Sequence, residues 1–372
     1  MLGIPLALGL LSYTYVGYPA LIAALGKVSP LRTSPDETFT PFVSVLFCAY
    51  DAEAFLEDKL DSMLGLDWPK DAIEVLVYSD GSKDGTNEIL ARRAAADPRI
   101  RPFYAETRGG KPRGLNLLRK QARGEVLLMT DVRQRFEPSA LRKLVRHLAD
   151  PSVGCVSGNL VLEGDAGSGA YWRYEKWIRE REARFRSVPG VTGAIYVLRA
   201  KDLEDIPEDT ILDDVMIPTR LRLAGKKVLF EPAAIAFDRA ADDDKEFSRK
   251  VRTLAGNFQI FARMPDLLVP GRNPSWLEMV SHKAMRLAGP FLMGSLAASS
   301  IRYAVAPPPG ASRFSVRVAR GLAVGQLAFY AAAIAGPRAG KLAGVARTFV
   351  VMNAAAAVGL YKHATNKQRI TW

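Results

Sequence analysis

Apolar residues are concentrated at the two ends of the chain, on either side of a long central stretch of mixed character. Residues 1–26 contain no charged side chain. Three further apolar stretches close the chain, at residues 287–300, 321–337 and 342–361. Because about 20 apolar residues suffice to cross a bilayer, we expect a transmembrane helix at 1–26, an interfacial segment at 266–286 and a three-helix transmembrane region at 287–361.

The basic residues near the N-terminus indicate on which side the central stretch lies. The first of them, Lys27, follows the apolar stretch, whereas a cleavable signal peptide carries its basic residues before the apolar stretch. Lys27 and Arg32 favour a cytoplasmic position for the residues that follow them. We therefore expect a multi-pass protein of the cell inner membrane with a cytoplasmic central domain.

The central stretch alternates short β-branched runs with segments of helical periodicity. Strands are predicted at 43–48, 73–78 and 126–129, and helices at 53–64 and 86–96. Strand and helix in repeated succession indicate an α/β domain with a parallel sheet and right-handed crossovers. In such sheets ligands bind beyond the carboxyl ends of the strands.

An acidic residue follows or ends each of the three predicted strands. These residues are Asp51, Asp80 and Asp131, and Ala49 ends the first run. Any one of the aspartates alone also suits a turn. Three carboxylates at one edge of a sheet suit hydrogen bonding to a nucleoside or the binding of a hard cation that bridges phosphates.

Two glycine-containing strings are candidates for phosphate or nucleotide contact. Residues 80–86 read D-G-S-K-D-G-T, and residues 108–116 read R-G-G-K-P-R-G-L-N, with Lys111 as a cation. Glycine lets the backbone approach a ligand closely, and a helix start favours negative charge. Neither string has the spacing of a P-loop or of a dinucleotide-binding fingerprint. The basic residues of the second string also fit a solvated loop.

Further along, paired charges precede or occupy predicted helices. Asp213 and Asp214 stand at a helix start, where they act either as capping residues or as a general base, because adjacent like charges raise one pKa. Arg249 and Arg252 lie three residues apart on one helix face, where they either grip a diphosphate or contact anionic lipid.

An aromatic stripe lies at helical spacing in the central stretch. It consists of Trp172, Tyr174 and Trp177, interleaved with charged residues. Such a stripe belongs more often to a core or an interface than to a sugar-binding platform.

The cysteine content indicates the compartment, and the net charge is compatible with several classes of partner. The chain has 51 Lys and Arg against 39 Asp and Glu, a net charge of +12. This balance suits nucleic acid, an anionic membrane surface or phosphorylated substrates, and charge alone does not choose among them. Cys48 and Cys155 are too far apart in sequence for a disulfide framework and form no C-x-x-C zinc pair, which favours a reducing compartment.

Five motifs in order resemble the membrane-bound inverting glycosyltransferases of family 2, relatives of the chitin-oligosaccharide, hyaluronan and cellulose synthases. The similarity covers about residues 41–262. The motifs lie at 41–53, 79–86, 110–116, 192–199 and 212–214. The resemblance implies a GT-A (Rossmann-like) nucleotide-sugar domain, which we place at 41–265.

The resemblance also implies roles for individual residues. Asp214, with Asp213 beside it, corresponds to the catalytic acids, and Asp214 is the base. The donor- and cofactor-binding residues implied are Ala49, Asp51, Asp80, Lys111, Asp131, Arg249 and Arg252.

Two departures from the family pattern bear on the chemistry. The D-x-D motif appears here as Asp131-Val132-Arg133, so a divalent Mg or Mn ion relies on Asp131 and substrate oxygens, or Arg133 partly replaces it as a fixed charge. The tryptophan that ends the Q-x-x-R-W motif of processive synthases is replaced by Thr253, which argues against processive chain growth.

The motifs together predict a membrane glycosyltransferase in cell-surface polysaccharide synthesis. The sugar would pass with inversion from a UDP-sugar to a lipid-linked or growing saccharide, with the membrane as a partner and no nucleic acid. One alternative is a non-catalytic membrane scaffold with a basic surface. Another is a sugar nucleotidyltransferase, for which a basic triphosphate loop near the first strand is not visible.

Overall fold

A mixed sheet lies at the centre of the computed structural model, which describes residues 3–163, 170–239 and 243–368. Its strands are β1 (Val43–Ala49), β2 (Ile73–Asp80), β3 (Ile100–Ala105), β4 (Val126–Met129), β5 (Arg135–Phe136), β6 (Val153–Glu163), β7 (Tyr196–Arg199) and β8 (Lys227–Arg239). They form one eight-stranded sheet in the order β3-β2-β1-β4-β7-β6-β8-β5.

Helices flank this sheet and extend away from it at both ends of the chain. They are α1 (Gly3–Val28), α2 (Glu53–Leu64), α3 (Thr86–Ala96), α4 (Lys111–Gln121), α5 (Ala140–Val145), α6 (Ala170–Phe185), α7 (Asp213–Leu223), α8 (Asp243–Arg263), α9 (Met285–Val305), α10 (Arg313–Ala335) and α11 (Lys341–Ala364). A π-helical turn, Met279–Ala284, leads directly into α9.

The first half of the sheet is parallel, as its sequence pattern predicts. β1 pairs in parallel with β2 and with β4, and Ala49 at the end of β1 lies opposite Ser79. The carboxyl ends of these strands therefore meet at one edge. Both faces are buried: Val45 belongs to one apolar cluster and Leu46 to the other, which explains why the strands read as continuous apolar runs.

The second half corrects the prediction of a wholly parallel sheet. β7 runs antiparallel to both β4 and β6, with Met129 opposite Tyr196. The helix that precedes β7 in the chain, α6, packs against α1, so closely that a Cβ on Gly26 would lie 3.3 Å from the carbonyl oxygen of Arg181. The chain then re-enters the sheet at the end where β4 stops, and the residues before β7 reach the ligand-binding edge.

Three helices of the described ranges are long and apolar enough to cross a membrane: α1, α10 with the turn after it (Arg313–Ala339), and α11. Large apolar side chains on them face outward, for example Ile334 at 82% exposure and Leu342 at 86%. The first predicted C-terminal stretch, 287–300, lies within α9 and is not among these spans. It has 14 residues, short of the roughly 20 that a span requires.

The C-terminal helix is joined to the central domain through glycine contacts. α11 packs along α8, where a Cβ on Gly359 would lie 2.9 Å from the amide nitrogen of Ala255. α8 packs in turn on the start of α7, where a Cβ on Gly256 would lie 2.4 Å from Cγ of Leu212. The residues just before Asp213 are therefore fixed by a helix that also bears the C-terminal span. The boundaries predicted at 41–265, 266–286 and 287–361 stay predictions.

Candidate active site

An ion-paired cluster lies beyond the carboxyl ends of β1 and β4. Nζ of Lys111, the first residue of α4, lies 2.8 Å from Oδ1 of Asp131 and 3.0 Å from Oδ2 of Asp213. Asp131 follows β4, and Asp213 begins α7. The side chain of Asp131 is 42% exposed and that of Asp213 only 9%. The structure thus brings together three residues that lie up to about a hundred positions apart in sequence.

The two carboxylates of this cluster stabilise the charged form of Lys111. Burial alone would lower the pKa of Lys111, but the carboxylates of Asp131 and Asp213 outweigh it and hold that pKa above its usual value. Lys111 therefore stays a fixed positive charge at neutral pH. Such a charge stabilises an anion that binds or develops beside it.

Asp214 is the acid of this cluster with the most altered environment. Its Oδ2 accepts a hydrogen bond from the amide of Gly193 at 3.2 Å. A Cβ on Gly193 would lie 3.3 Å from that oxygen and 3.5 Å from Oδ2 of Asp131, so both carboxylates approach the same glycine. Burial, followed by the negative charge of Asp213, raises the pKa of Asp214 to about 6. A carboxylate in that range is suited to accepting a hydroxyl proton near neutral pH.

Asp80 is fully buried at the end of β2 and holds a loop. Its Oδ1 accepts a hydrogen bond from the amide of Gly109 at 2.7 Å, and its Oδ2 accepts one from Gly110 at 2.9 Å. Gly110, at φ 90°, directly precedes Lys111. Asp80 therefore helps to set the direction in which α4 starts and Lys111 projects. Its predicted contact with a nucleotide stays a prediction.

Asp51 lies in the turn that follows β1, next to the buried Ala49. It adopts a left-handed conformation, φ 43°, and its Oδ1 accepts a hydrogen bond from the amide of Lys83 at 2.8 Å. The guanidinium of Arg108 stacks over the ring of the neighbouring Tyr50, with its carbon 3.6 Å from the ring centroid. The first turn and the loop after β2 are thus tied together beside the loop that carries Lys111.

Arg252 of α8 lies against the segment that precedes the acid pair. Its Nη2 donates to the carbonyl oxygen of Ile211 at 3.3 Å. Gln259, further along α8, accepts from the amide of Ile211 at 3.0 Å. Arg249, one turn before Arg252, is exposed. The helix therefore braces residues 211–214, and the predicted role of both arginines toward a diphosphate stays a prediction.

Arg133 points away from this cluster. Its Nη2 lies 3.3 Å from Oδ2 of Asp238 on β8, and Gln134 donates to the same oxygen at 2.8 Å. The cation that accompanies Asp131 is Lys111 and not Arg133. The structure therefore does not support the alternative in which Arg133 replaces a metal ion.

A divalent cation would have one protein carboxylate to bind here. Among the residues described, no group of three or more His, Cys, Asp or Glu side chains is arranged to hold a metal. Asp131, which is 42% exposed, is the acid open to a ligand in the cluster. Mg²⁺ in nucleotide sites is commonly bound by one or two carboxylates together with substrate phosphates. The residues present fit a metal ion that Asp131 binds on the protein side and that the phosphate oxygens of the substrate bind otherwise.

Lys59 is a residue of the site that motif reading did not find. It is fully buried in α2, and its Nζ donates to Oγ1 of Thr130 at 2.7 Å and to the carbonyl oxygen of Gln134 at 3.0 Å. It thereby closes the turn that carries Asp131. Burial lowers the pKa of Lys59 to about 7. A signal was present, since Lys59 shares the helix face of Leu56 and Met63 and so occupies a core position.

Comparisons with known proteins agree with this architecture. The family profile described as Glycosyl transferase family 2 matches residues 44–206. Beta-monoglucosyldiacylglycerol synthase of Synechocystis is 24% identical over 221 residues, 56% of this chain and 46% of that protein. Poly-beta-1,6-N-acetyl-D-glucosamine synthase of Staphylococcus aureus is 23% identical over 205 residues, 52% of this chain and 49% of that protein. Glycosyltransferase AglD of Haloferax volcanii is 33% identical over 172 residues, 44% of this chain and 25% of that protein. The chain thus spans about half the length of these curated relatives, or less.

A solved structure extends the similarity to nearly the whole chain. Mannosyltransferase PcManGT from Pyrobaculum calidifontis, in complex with GDP-Man and Mn²⁺, matches with a TM-score of 0.75 at 24% identity. The match covers 98% of this chain and 99% of that one. The likeness shows the fold, which is the predicted GT-A α/β domain with helices at both ends. The profile thus places residues 44–206 in glycosyl transferase family 2, and the relatives and the fold agree with it.

Proposed function

We propose that the protein transfers a sugar from a UDP-sugar, with inversion, to a hydroxyl of a lipid-linked or growing saccharide. The observation that carries the proposal is the site around Asp214: an acid with a pKa near 6, next to Lys111 and Asp131 at the ligand-binding edge of the sheet. Two of the relatives named above, from Synechocystis and Staphylococcus aureus, make a glycolipid and a polysaccharide according to their names, which supports the same general reaction here.

In this mechanism Asp214 is the general base. Its carboxylate accepts the proton of the acceptor hydroxyl while the hydroxyl oxygen forms a bond to the anomeric carbon of the sugar. The bond between that carbon and the phosphate oxygen breaks on the opposite side, and the nucleoside diphosphate leaves with the electron pair. Attack from the side opposite the leaving group inverts the configuration. The hydrogen bond from Gly193 fixes the direction of the carboxylate.

The leaving diphosphate needs compensation for its growing negative charge. Lys111 supplies a permanent cation at the site, and we assign Arg249 and Arg252 of α8 to the same task. A divalent cation held by Asp131, when bound, would neutralise part of the charge on the diphosphate. The nucleoside would lie over Ala49, Asp51 and Asp80.

The membrane helices would place this reaction at the membrane surface. Three candidate spans and outward-facing apolar side chains support an association with the membrane. We place the catalytic domain on the cytoplasmic side of the cell inner membrane, because Lys27 lies in the last turn of α1 and Arg32 follows that helix. A lipid-linked acceptor would then be held at the level of the headgroups, beside the domain.

Turnover of labelled nucleotide sugars by membranes that contain the protein tests the proposal. The donors are a panel of UDP-sugars and GDP-mannose, and the released nucleotide and the anomeric configuration of the product are both determined. We expect release of a nucleoside diphosphate and an inverted product. Release of pyrophosphate would identify a nucleotidyltransferase, and absence of turnover with every donor would identify a scaffold.

A further inference from the structure

A small pocket adjoins the site on the side of α6 and the π-helical turn before α9. Pro189 and Gly190 form part of its wall. The amide of Val191 donates to the backbone oxygen of Asp214 at 3.1 Å, and a Cβ on Gly190 would lie 4.0 Å from that oxygen. A molecule in this pocket therefore lies next to the residue that we assign as the base.

Three cations line the pocket: Lys176 and Arg179 of α6, and Lys283 of the π-helical turn. None of the three forms an ion pair with another side chain in the described ranges. Burial, followed by the neighbouring charge of Arg179, lowers the pKa of Lys283, and the charges of Glu175 and Glu182 oppose this shift without cancelling it. Arg179 also lies over the ring of Phe230, at 5.9 Å.

The two carboxylates of the pocket are engaged elsewhere. Glu175 pairs with Arg286 and with Nε2 of His282. Glu182 accepts hydrogen bonds from the Tyr18 hydroxyl at 2.6 Å and pairs with Nδ1 of His282 at 2.6 Å. Within the described ranges, neither carboxylate forms an ion pair with any of the three cations. The pocket thus presents positive charge that a bound anion would balance.

The position of the pocket indicates which kind of molecule the anionic group belongs to. Tyr18 lies in α1, a candidate membrane span, and Lys283 directly precedes α9. Trp172 lines the pocket and is 39% exposed, and Trp177, on the same helix, is 37% exposed. Tryptophan and basic residues together are typical of the level of the lipid headgroups. A free soluble phosphate would not need this placement.

We infer that this pocket binds the phosphate or diphosphate group of a lipid-linked acceptor, held by Arg179, Lys283 and Lys176. The inference rests on the proposed function and specifies its acceptor. With the anionic group beside Arg179, the sugar or hydroxyl attached to it would reach Asp214. A neutral glycerolipid acceptor would leave the three cations without a counter-charge, and the pocket disfavours it.

Binding is measured on the full-length protein in phosphatidylcholine nanodiscs with excess UDP, which occupies the proposed donor site. Undecaprenyl phosphate, dioleoylglycerol and inorganic pyrophosphate are titrated, and tryptophan fluorescence reports binding. We expect binding of undecaprenyl phosphate alone. The double variant Arg179→Gln/Lys283→Gln should bind about tenfold or more weakly, as expected for the loss of charge-assisted hydrogen bonds. Arg179→Lys should retain part of the affinity.

Lys201→Gln is the matched control, because Lys201 is exposed and follows the end of β7 that lies opposite Val126, far from Asp131. It should bind like the wild type. Unchanged UDP affinity of the double variant shows that it is folded. Equal binding of dioleoylglycerol, equal binding of pyrophosphate, or full affinity in the double variant would each overturn the inference. Nucleotide-sugar turnover with dioleoylglycerol would keep the proposed sugar transfer and change its acceptor, whereas failure of every donor would contradict the transfer itself.

Discussion

The surroundings of Asp214 determine what its carboxylate does. Like charge on Asp213 and partial burial disfavour its ionised form, while Lys111 and the amide of Gly193 favour that form. The balance is a pKa near 6, well above the ordinary value of 3.8. An acid in this range is ionised at neutral pH and still basic enough to receive a proton.

The first prediction concerns pH. Because Asp214 must be ionised to act as the base, sugar transfer should fall below about pH 6, by up to tenfold per pH unit. Asp213→Asn removes the neighbouring charge, so the acid limb should move to lower pH. The measurement is the rate of sugar transfer at a saturating donor concentration, as a function of pH. An acid limb at the same pH in both proteins would show that another group controls it.

The second prediction concerns the metal. Chelation by EDTA should lower transfer about tenfold or more, and Mn²⁺ or Mg²⁺ should restore it. Asp131→Asn should weaken this restoration, since Asp131 is the carboxylate open to the ligand. Lys201→Gln should respond like the wild type. If the rate is the same with and without EDTA, the cationic side chains compensate the charge without a metal, and the assignment of a metal to Asp131 is wrong.

The third prediction concerns Lys59. Its pKa is lowered to about 7 in the folded protein, whereas the unfolded chain keeps the ordinary value of 10.5, so unfolding takes up a proton between these pH values. Stability should therefore rise from about pH 7 to 10.5, by at most about 1.4 kcal/mol per pH unit. The unfolding midpoint in detergent measures it. Lys59→Met should lose this rise relative to the wild type. An identical rise in the variant would show that the pKa of Lys59 is not the cause.

Among the secondary-structure elements, α8 connects the site to the membrane helices. One face of it braces Ile211 through Arg252 and Gln259, and its neighbouring turn packs on α11. The contacts are close because glycine stands at both crossings, Gly256 and Gly359. The position of the acid pair therefore depends on how α8 is seated.

The fourth prediction tests this dependence. In Gly256→Ala the new methyl group would lie 2.4 Å from Cγ of Leu212, so Leu212 and the acids after it must shift. Turnover should fall, by up to about a hundredfold for a displacement near 1 Å. Gly294→Ala in α9 is the control, because nothing lies within 4 Å of its new methyl group. Equal turnover in both variants would show that α8 does not position the acids.

Local patterns predicted elements well where one strand and one helix follow each other. Helices 53–64 and 86–96 and strand 126–129 have the predicted bounds, because burial on one face or both leaves a periodic trace. The antiparallel β7 could not be predicted in the same way. It pairs with β4 by placing Met129 opposite Tyr196, 67 positions away, and a contact at that distance leaves no local pattern.

The site shows the same division between local and distant information. A glycine-containing string predicted Lys111, a strand-end acid Asp131, and a pair of acids at a helix start Asp214; the fold brings these residues together. The pairing of Arg133 with Asp238 is set by β8 and has no local trace. Equally, nothing in the stripe around Trp172 shows that Lys283 lies opposite Arg179 across a pocket.

At the scale of the whole molecule, the protein is a GT-A domain joined to membrane-type helices at both ends. The central sheet gathers the acids and Lys111 at one edge, and α1, α6 and α9 place the cationic pocket beside it. This arrangement fits an enzyme that takes its donor from water and its acceptor from the membrane.

Turnover by Asp214→Asn tests that account most directly. The variant keeps the shape of the side chain and removes the base, so transfer from the nucleotide sugar should fall by about a hundredfold to ten-thousandfold. Its donor affinity should match the wild type, and Lys201→Gln should keep full turnover. Wild-type turnover in Asp214→Asn would contradict the central claim that this carboxylate takes the proton of the acceptor.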